Sequence, residues 1–423
     1  MKFQNTIEYA RQLDAEDPLK TFREKFYIPI INGKEAIYFT GNSLGLQPKT
    51  AQEKVLDILE DWANYGVEGH FSGRNPWVNY HDHLPPKLSK IVGALEEEIV
   101  VMNFLTVNLH LLFSTFYKPT KERYKIICEA KAFPSDQYVF ESQAKLHGLN
   151  VEDVVIEVFP REGEKTLRTE DILSVINNHK DSVAIVLFSG VNYYTGQVFD
   201  MEEICKATHA VGAICGFDLA HAAGNVALEL HDWDVDFAVW CNYKYLNAGP
   251  GAIGAAFINK KHAENTSLDR MAGWWGYEKD TRFKMEQGFK PIPTAEGWQL
   301  STPPGILMSL LVSSLEIFSE ASMERLIAKS NSMTSFLFEI LDDINNQTGT
   351  KNIEIITPRD KRGCQVSISI LERGKETFDE LKKQGVICDW REPNVIRISP
   401  VPLYNTFEEI YTFGSIINQC LIK

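Results

Sequence analysis

The 423-residue sequence predicts an α/β fold: a large unit on a mostly parallel sheet flanked by helices, then a smaller α+β unit. Three observations predict it. Residues 125–129, 154–159, 183–188, 213–218 and 237–241 form short, almost uninterrupted apolar runs, as strands buried on both faces of a parallel sheet do. Helical segments separate them, so the repeating unit is strand–helix–strand with right-handed crossovers. Beyond about residue 300, long helical runs and apolar–polar alternation replace this pattern.

The elements follow in order. Residues 1–35 read as a helical arm, with Ile7, Ala10, Arg11 and Leu13 giving a weak apolar stripe. Residues 36–300 make up the large unit. Within it Thr169 is placed as the N-cap of a helix over 170–179, with Glu170 and Asp171 in the first turn. Asp200 and Glu203 open the next helix as a capping box, and Gly212 stops it. Residues 301–423 make up the smaller unit. Helices are expected at 306–318, 323–341, 375–384 and 407–420. Strands are expected at 352–357, 365–370 and 395–401, the first two half-exposed.

Bulk properties exclude several function classes. The formal net charge is −14, and no dense Lys/Arg block interrupts it. A nucleic acid or an anionic membrane would require a basic stripe. The N-terminus has neither the apolar core of a signal peptide nor the Arg-rich, acid-poor look of a transit peptide. The longest apolar stretch, 305–318, holds serines and Glu316 and is too short to span a bilayer. Seven cysteines lie scattered with no C-x-x-C pair, which reads as reduced thiols in a cytoplasmic protein.

The strongest chemical signal is a pair of motifs, Asp218-Leu-Ala-His221 and Asn242-Tyr243-Lys244-Tyr245, each just after a predicted strand. In open α/β sheets the ligand crevice lies at the carboxyl ends of the strands. Asp218 and Lys244 are therefore candidates to meet there. A pyridoxal phosphate site needs such a pair: an amine for the Schiff base and a carboxylate to hold the pyridine nitrogen protonated. His221, three residues on, is placed to orient Asp218. Taken alone, either motif equally suits a surface lysine and a capping aspartate.

Other residues converge on the same reading. Thr106, in Leu105-Thr-Val-Asn108, precedes the apolar-periodic Leu109, Leu112, Phe113 and Phe116. It sits where free N–H groups and the helix dipole would hold a phosphate, or where a threonine simply caps. Phe133 is placed to stack on a pyridine ring, with Ser135 or Asp136 at its polar edge; an ordinary strand-to-helix turn is the alternative. Ser189 falls at another strand's carboxyl end, placed for the cofactor's phenolic or phosphate oxygens. His81-Asp-His83 lacks a nearby third ligand and is read as an exposed turn, so no metal is expected. Cys241 is read as a buried strand cysteine.

Seven collinear stretches resemble the kynureninase family, pyridoxal-phosphate hydrolases of the aspartate-aminotransferase fold type. They are Gly41-Asn-Ser-Leu-Gly-Leu-Gln-Pro48, Leu105-Thr-Val-Asn-Leu-His-Leu111, Glu129-Ala-Lys-Ala-Phe-Pro-Ser-Asp136, Leu187-Phe-Ser-Gly-Val191, Gly216-Phe-Asp-Leu-Ala-His221, Tyr243-Lys-Tyr-Leu-Asn-Ala-Gly249 and Arg397-Ile-Ser-Pro-Val-Pro-Leu-Tyr-Asn405. The resemblance implies a PLP-transferase-like (fold type I) large domain. It makes Lys244 the Schiff-base lysine and the base that moves the substrate's α-proton, and Tyr243 a phosphate ligand and later proton donor. Asp218, supported by His221, would pair with the ring nitrogen. Leu105 and Thr106 would contact the phosphate, with Phe133 on the ring and Asp136 near its edge. Trp274, in Ala272-Gly-Trp-Trp-Gly276, and Thr302, beside Ser301, would reach the cofactor of a second subunit in a homodimer. Arg397 would clamp the substrate's α-carboxylate, since a planar guanidinium binds it with two parallel bonds.

The implied reaction is hydrolytic Cβ–Cγ cleavage of L-kynurenine or 3-hydroxy-L-kynurenine to anthranilate or 3-hydroxyanthranilate plus L-alanine, in tryptophan catabolism or a route needing the aromatic product. A ring-facing His70 goes with the 3-hydroxy substrate. Thr302 stands where the 3-hydroxy-preferring pattern has asparagine, so activity on both is the expectation. Two rivals remain. One is a cysteine desulfurase of the same fold, with Cys364 or Cys388 as nucleophile. The other is a silent binding module, which would lack Lys244 or Asp218.

Overall fold

The computed structural model describes residues 4–349 and 352–422; residues 1–3 of the expected arm lie outside them. Its centre is a seven-stranded sheet. In chain order the strands are β1 (Ile99–Val101), β2 (Lys125–Glu129), β3 (Val155–Val158), β4 (Val183–Ser189), β5 (Ile214–Asp218), β6 (Phe237–Cys241) and β7 (Gly254–Ile258). Their spatial order is β1-β7-β6-β5-β4-β2-β3. The β3/β2, β2/β4, β4/β5 and β5/β6 pairs are parallel, while β7 runs antiparallel to both neighbours. Strand alternation splits the core between the two faces. In β6, Ala238 and Trp240 enter one apolar cluster and Phe237 and Val239 the other.

All five expected strands form. The 154–159 run is trimmed because Val151–Val154 closes a helical turn before β3 begins. The sequence reading missed β1 and β7. Both are short, and the alanines and Gly254 of β7 carry little β-propensity. Asp200 caps its helix, accepting from the Glu203 N–H, and Gly212 sits at φ 72° just past its end. The helix expected from residue 170 begins at Thr169 itself, with Arg168 in the cap position. Thr169 instead accepts from Lys361 Nζ at 3.1 Å.

The C-terminal sheet has four antiparallel strands in the order β8-β9-β11-β10: β8 (Ile353–Ile355), β9 (Val366–Ile370), β10 (Asp389–Arg391) and β11 (Val395–Ile398). The sequence reading missed β10. Strand β9, expected to be half-exposed, is buried on both faces. Its Ser367 and Ser369 give the polar alternation of a surface strand, yet they face the rest of the protein. Ser367 Oγ donates to the Tyr194 carbonyl in the loop after β4, at 2.6 Å.

The helix Gly305–Ala321 buries Met308, Leu311 and Leu315 in the core of the large sheet, whereas Met323–Thr348 buries Met333, Phe336 and Leu337 in the C-terminal core. We therefore propose that the boundary between the units, expected at residue 301, falls at the Ser322 turn. The arm's helix, Ile7–Glu16, packs on this chain's own last helix, Phe407–Ile422, where Asp14 accepts the N–H groups of Phe407 and Glu408 at 2.7 and 2.9 Å. Among the described residues no single helix is long and apolar enough to cross a membrane.

Candidate active site

The parallel register brings the chemistry together. Ser189 pairs with Asp218 at the ends of β4 and β5, and Asp218 pairs with Val239 in β6. Three residues after β6, the chain turns at Lys244. Gly45, in the 41–48 stretch, donates its N–H to the Tyr243 carbonyl at 2.8 Å, and a side chain there would collide with the Lys244 carbonyl. That approach is why a glycine-bearing loop supports the lysine turn.

A cavity of about 120 Å³ results. Leu105, Thr106, Phe133, Ser135, Asp136, Ser189, Asp218, His221, Tyr243 and Lys244 all line it, together with Val191, Tyr193 and Ala220. Thr106 lies in the first turn of the Leu105–Phe116 helix, with Phe104 rather than Thr106 at the cap. No side chain caps that end, which leaves its N–H groups for an anion. The Lys244 amine lies 5.8 Å from the centres of both the Phe133 and Tyr243 rings. Burial raises the Tyr243 phenol, so it keeps its proton as a donor.

The carboxylates divide their roles. Burial, with Asp218 and Glu129 close by, pushes Asp136 well above the usual range. Burial also raises Asp218, but Lys244, the Ala220 N–H and the Asp136 side chain oppose it. The Ala220 N–H donates to Asp218 Oδ1 at 2.7 Å. Asp136 is thus pushed further up than Asp218, whose charged form Lys244 and the Ala220 N–H favour. The expected support of Asp218 by His221 has no hydrogen bond behind it among the described residues: the ring is buried and its Nδ1 has no partner. Burial keeps that imidazole neutral.

Pyridoxal phosphate fits these residues. A buried amine, a charged carboxylate fixed by a backbone N–H, an aromatic ring and an uncapped helix N-terminus face one cavity. That donor set matches an aldehyde, a pyridine nitrogen, a ring face and a phosphate.

Five expected site residues do not line the cavity: His70, Trp274, Ser301, Thr302 and Arg397. The His70 ring meets Trp77 edge-on at 5.2 Å, and a side chain on Gly305, three residues past Thr302, would also meet Trp77. Trp274 contacts Phe283 at 5.7 Å, and Phe283 contacts Phe71 at 6.3 Å. These three rings are 46%, 52% and 60% exposed. Trp275 is buried, with the Arg282 guanidinium over its face.

Arg397 is fully buried on β11 and donates through Nη1 to the carbonyl of cavity-lining Tyr193 at 2.6 Å. Its Nη2 is paired with Asp389, which the sequence reading did not single out. Glu129 was also missed as a site residue. At the carboxyl end of β2 it accepts the Ser189 N–H at 3.1 and 3.2 Å and pairs with the Ser189 hydroxyl. An acid ending a buried apolar strand was the available signal.

The His81–His83 turn is corrected. His81 is buried, not exposed, with Nε2 3.2 Å from Glu296 and 3.3 Å from Asp82. Lys279 bridges the same two acids at 3.0 and 3.1 Å and supplies their cation. Cys241 is buried, as expected.

A family model, the kynureninase C-terminal domain, matches residues 326–417. A kynureninase of Flavobacterium psychrophilum is 53% identical over 425 residues, covering 100% of both chains. A kynureninase of Homo sapiens is 50% identical, covering 97% of this chain and 92% of its own. This chain belongs to the kynureninase family. Solved structures share the fold at lower identity. An apo cysteine desulfurase of Thermococcus onnurineus NA1 has a TM-score of 0.74 at 19% identity, covering 92% of this chain and 95% of its own. A cystine C–S lyase in complex with cysteine persulfide has a TM-score of 0.74 at 16% identity, covering 90% and 97%. The kynureninase-family fold is thus the fold type I architecture that the sequence predicts.

Proposed function

We propose that this chain hydrolyses L-kynurenine and 3-hydroxy-L-kynurenine to anthranilate and 3-hydroxyanthranilate, releasing L-alanine. The observation that carries the reading is about 50% identity to kynureninases along the whole chain, together with Lys244, Asp218 and the uncapped helix end facing one cavity. Pyridoxal 5′-phosphate is the cofactor; when bound, its protonated ring supplies the electron sink.

The chain's residues do the rest. Lys244 holds the cofactor aldehyde and moves the proton at the substrate's α-carbon. Asp218 keeps a proton on the pyridine nitrogen, its charged form favoured by Lys244 and the Ala220 N–H. The N–H groups at Leu105 and Thr106 bind phosphate, and Phe133 covers the ring. Tyr243, protonated across the working range, donates to phosphate and then to the departing β-carbon. Arg397 receives the α-carboxylate. Burial excludes bulk water and strengthens each of these interactions.

A homodimer with shared sites accounts for four of the five residues outside the cavity, all but Arg397. Trp274, Phe283 and Phe71 form an exposed aromatic patch of the kind that marks an interface. Trp274, Ser301, Thr302 and His70 would serve the neighbouring subunit's site. Cys128, Cys205, Cys215, Cys241, Cys364 and Cys388 are free thiols, which suits a cytoplasmic enzyme of the kynurenine pathway.

The desulfurase rival is disfavoured by its own nucleophiles. Burial pushes the Cys364 and Cys388 thiols up to about 12, so neither supplies a thiolate near neutral pH. The silent-module rival needs Lys244 or Asp218 missing, and both are present. The test is Lys244→Ala: turnover of L-kynurenine and the Schiff-base absorbance band should disappear together. Turnover at the wild-type rate would overturn the reading.

A further inference from the structure

We propose that Asp389 is a built-in stand-in for the substrate's α-carboxylate, holding Arg397 until substrate displaces it and then passing to Arg391. The inference rests on the reading of Arg397 as the carboxylate clamp. Strand register sets up the pair. Asp389 on edge strand β10 lies directly opposite Arg397 on interior strand β11, so both side chains share one face. The Arg397 side chain is 2% exposed and Asp389 18%.

Donors and charges in this corner do not balance. Arg397 places Nη1 on the Tyr193 carbonyl and Nη2 on Asp389, with Ser43 Oγ 3.4 Å from Nη2. Its Nε is buried with no partner. Asp389 has two further partners already in place, Ser43 Oγ at 3.1 Å and Arg391 Nη2 at 3.2 Å. Two guanidiniums therefore share one carboxylate, leaving one positive charge in surplus and the Nε–H of both arginines buried and unused. A second carboxylate arriving past Tyr193, which lines the cavity, balances the charge and gives the Arg397 Nε–H an acceptor. It takes Arg397 while Asp389 stays with Arg391 and Ser43. A buried unpaired charge is costly, which explains why a stand-in is present at all.

The arrangement is also a specificity device. A ligand with a carboxylate exchanges one ion pair for another. An amine without one has nothing to offer Arg397 and leaves Asp389 in place.

The test uses the cofactor-loaded enzyme and two variants whose effects must have opposite sign. Asp389→Asn removes the competitor and should lower KM for L-kynurenine about tenfold, the weight of one charge-assisted contact. Arg391→Gln removes the residue that receives Asp389 and should raise KM by a similar factor. In the Asp389→Asn background, Arg391→Gln should have almost no further effect. Spectral titration of the cofactor band with L-alanine should follow the same order, while ethylamine, which lacks the carboxylate, should not. If Asp389→Asn raises KM as Arg391→Gln does, or shifts ethylamine as much as L-alanine, Asp389 is an anchor for Arg397 and the proposal falls. Separately, if Arg397→Lys weakens L-alanine and ethylamine alike, the assignment of Arg397 itself fails.

Discussion

Replacing Glu129 by Gln should flatten the enzyme's stability–pH profile. Glu129 is fully enclosed behind Ser189, and burial raises its carboxyl from 4.5 to about 7 against the opposing Ser189 contacts. An acid whose folded value is raised binds its proton more tightly in the native state. Its contribution is fully present below about 4.5 and is lost as pH rises through about 7. Across pH 5 to pH 8 that loss is about 2.5 kcal/mol. Glutamine keeps an oxygen for the Ser189 N–H, seen at 3.1 Å, but cannot ionise. Urea unfolding at both pH values, for wild type and Glu129→Gln, should show wild type losing about 2 to 3 kcal/mol more over the interval. Equal losses would refute the buried, proton-holding Glu129.

Other predictions follow from single contacts. Asp14→Ala strips the acceptor from two N–H groups at the start of the last helix and should cost about 1–2 kcal/mol in urea unfolding, with Asn restoring most of it. His70→Phe should lower the ratio of kcat/KM for 3-hydroxy-L-kynurenine over L-kynurenine, and an unchanged ratio would remove His70 from ring recognition. Cys364→Ser and Cys388→Ser should each keep kynurenine turnover within a few-fold of wild type, because neither buried thiol is a nucleophile.

Much of this was legible in the sequence because periodicity and strand-end position are local signals. The five buried runs, the Asp200 cap and the Gly212 stop depend only on neighbouring residues. Strand-end logic likewise placed Asp218, Ser189 and Lys244 at one edge, and all three line the cavity. The failures involve partners far away in the chain. Ser367 and Ser369 looked solvent-facing because nothing local announces the loop after β4 that covers them. His81 found Glu296 and was buried with it. Asp389 was invisible because its meaning lies in the register against Arg397. Strands β1 and β7 were too short, or too poor in β-formers, to signal by pattern alone.

The central claim is tested most directly by following L-kynurenine and 3-hydroxy-L-kynurenine in parallel with the purified, cofactor-loaded protein. Anthranilate or 3-hydroxyanthranilate should appear with equimolar L-alanine. Failure to cleave either substrate while the Schiff-base band is present would contradict it, leaving the fold and Lys244 in place for a different lyase reaction.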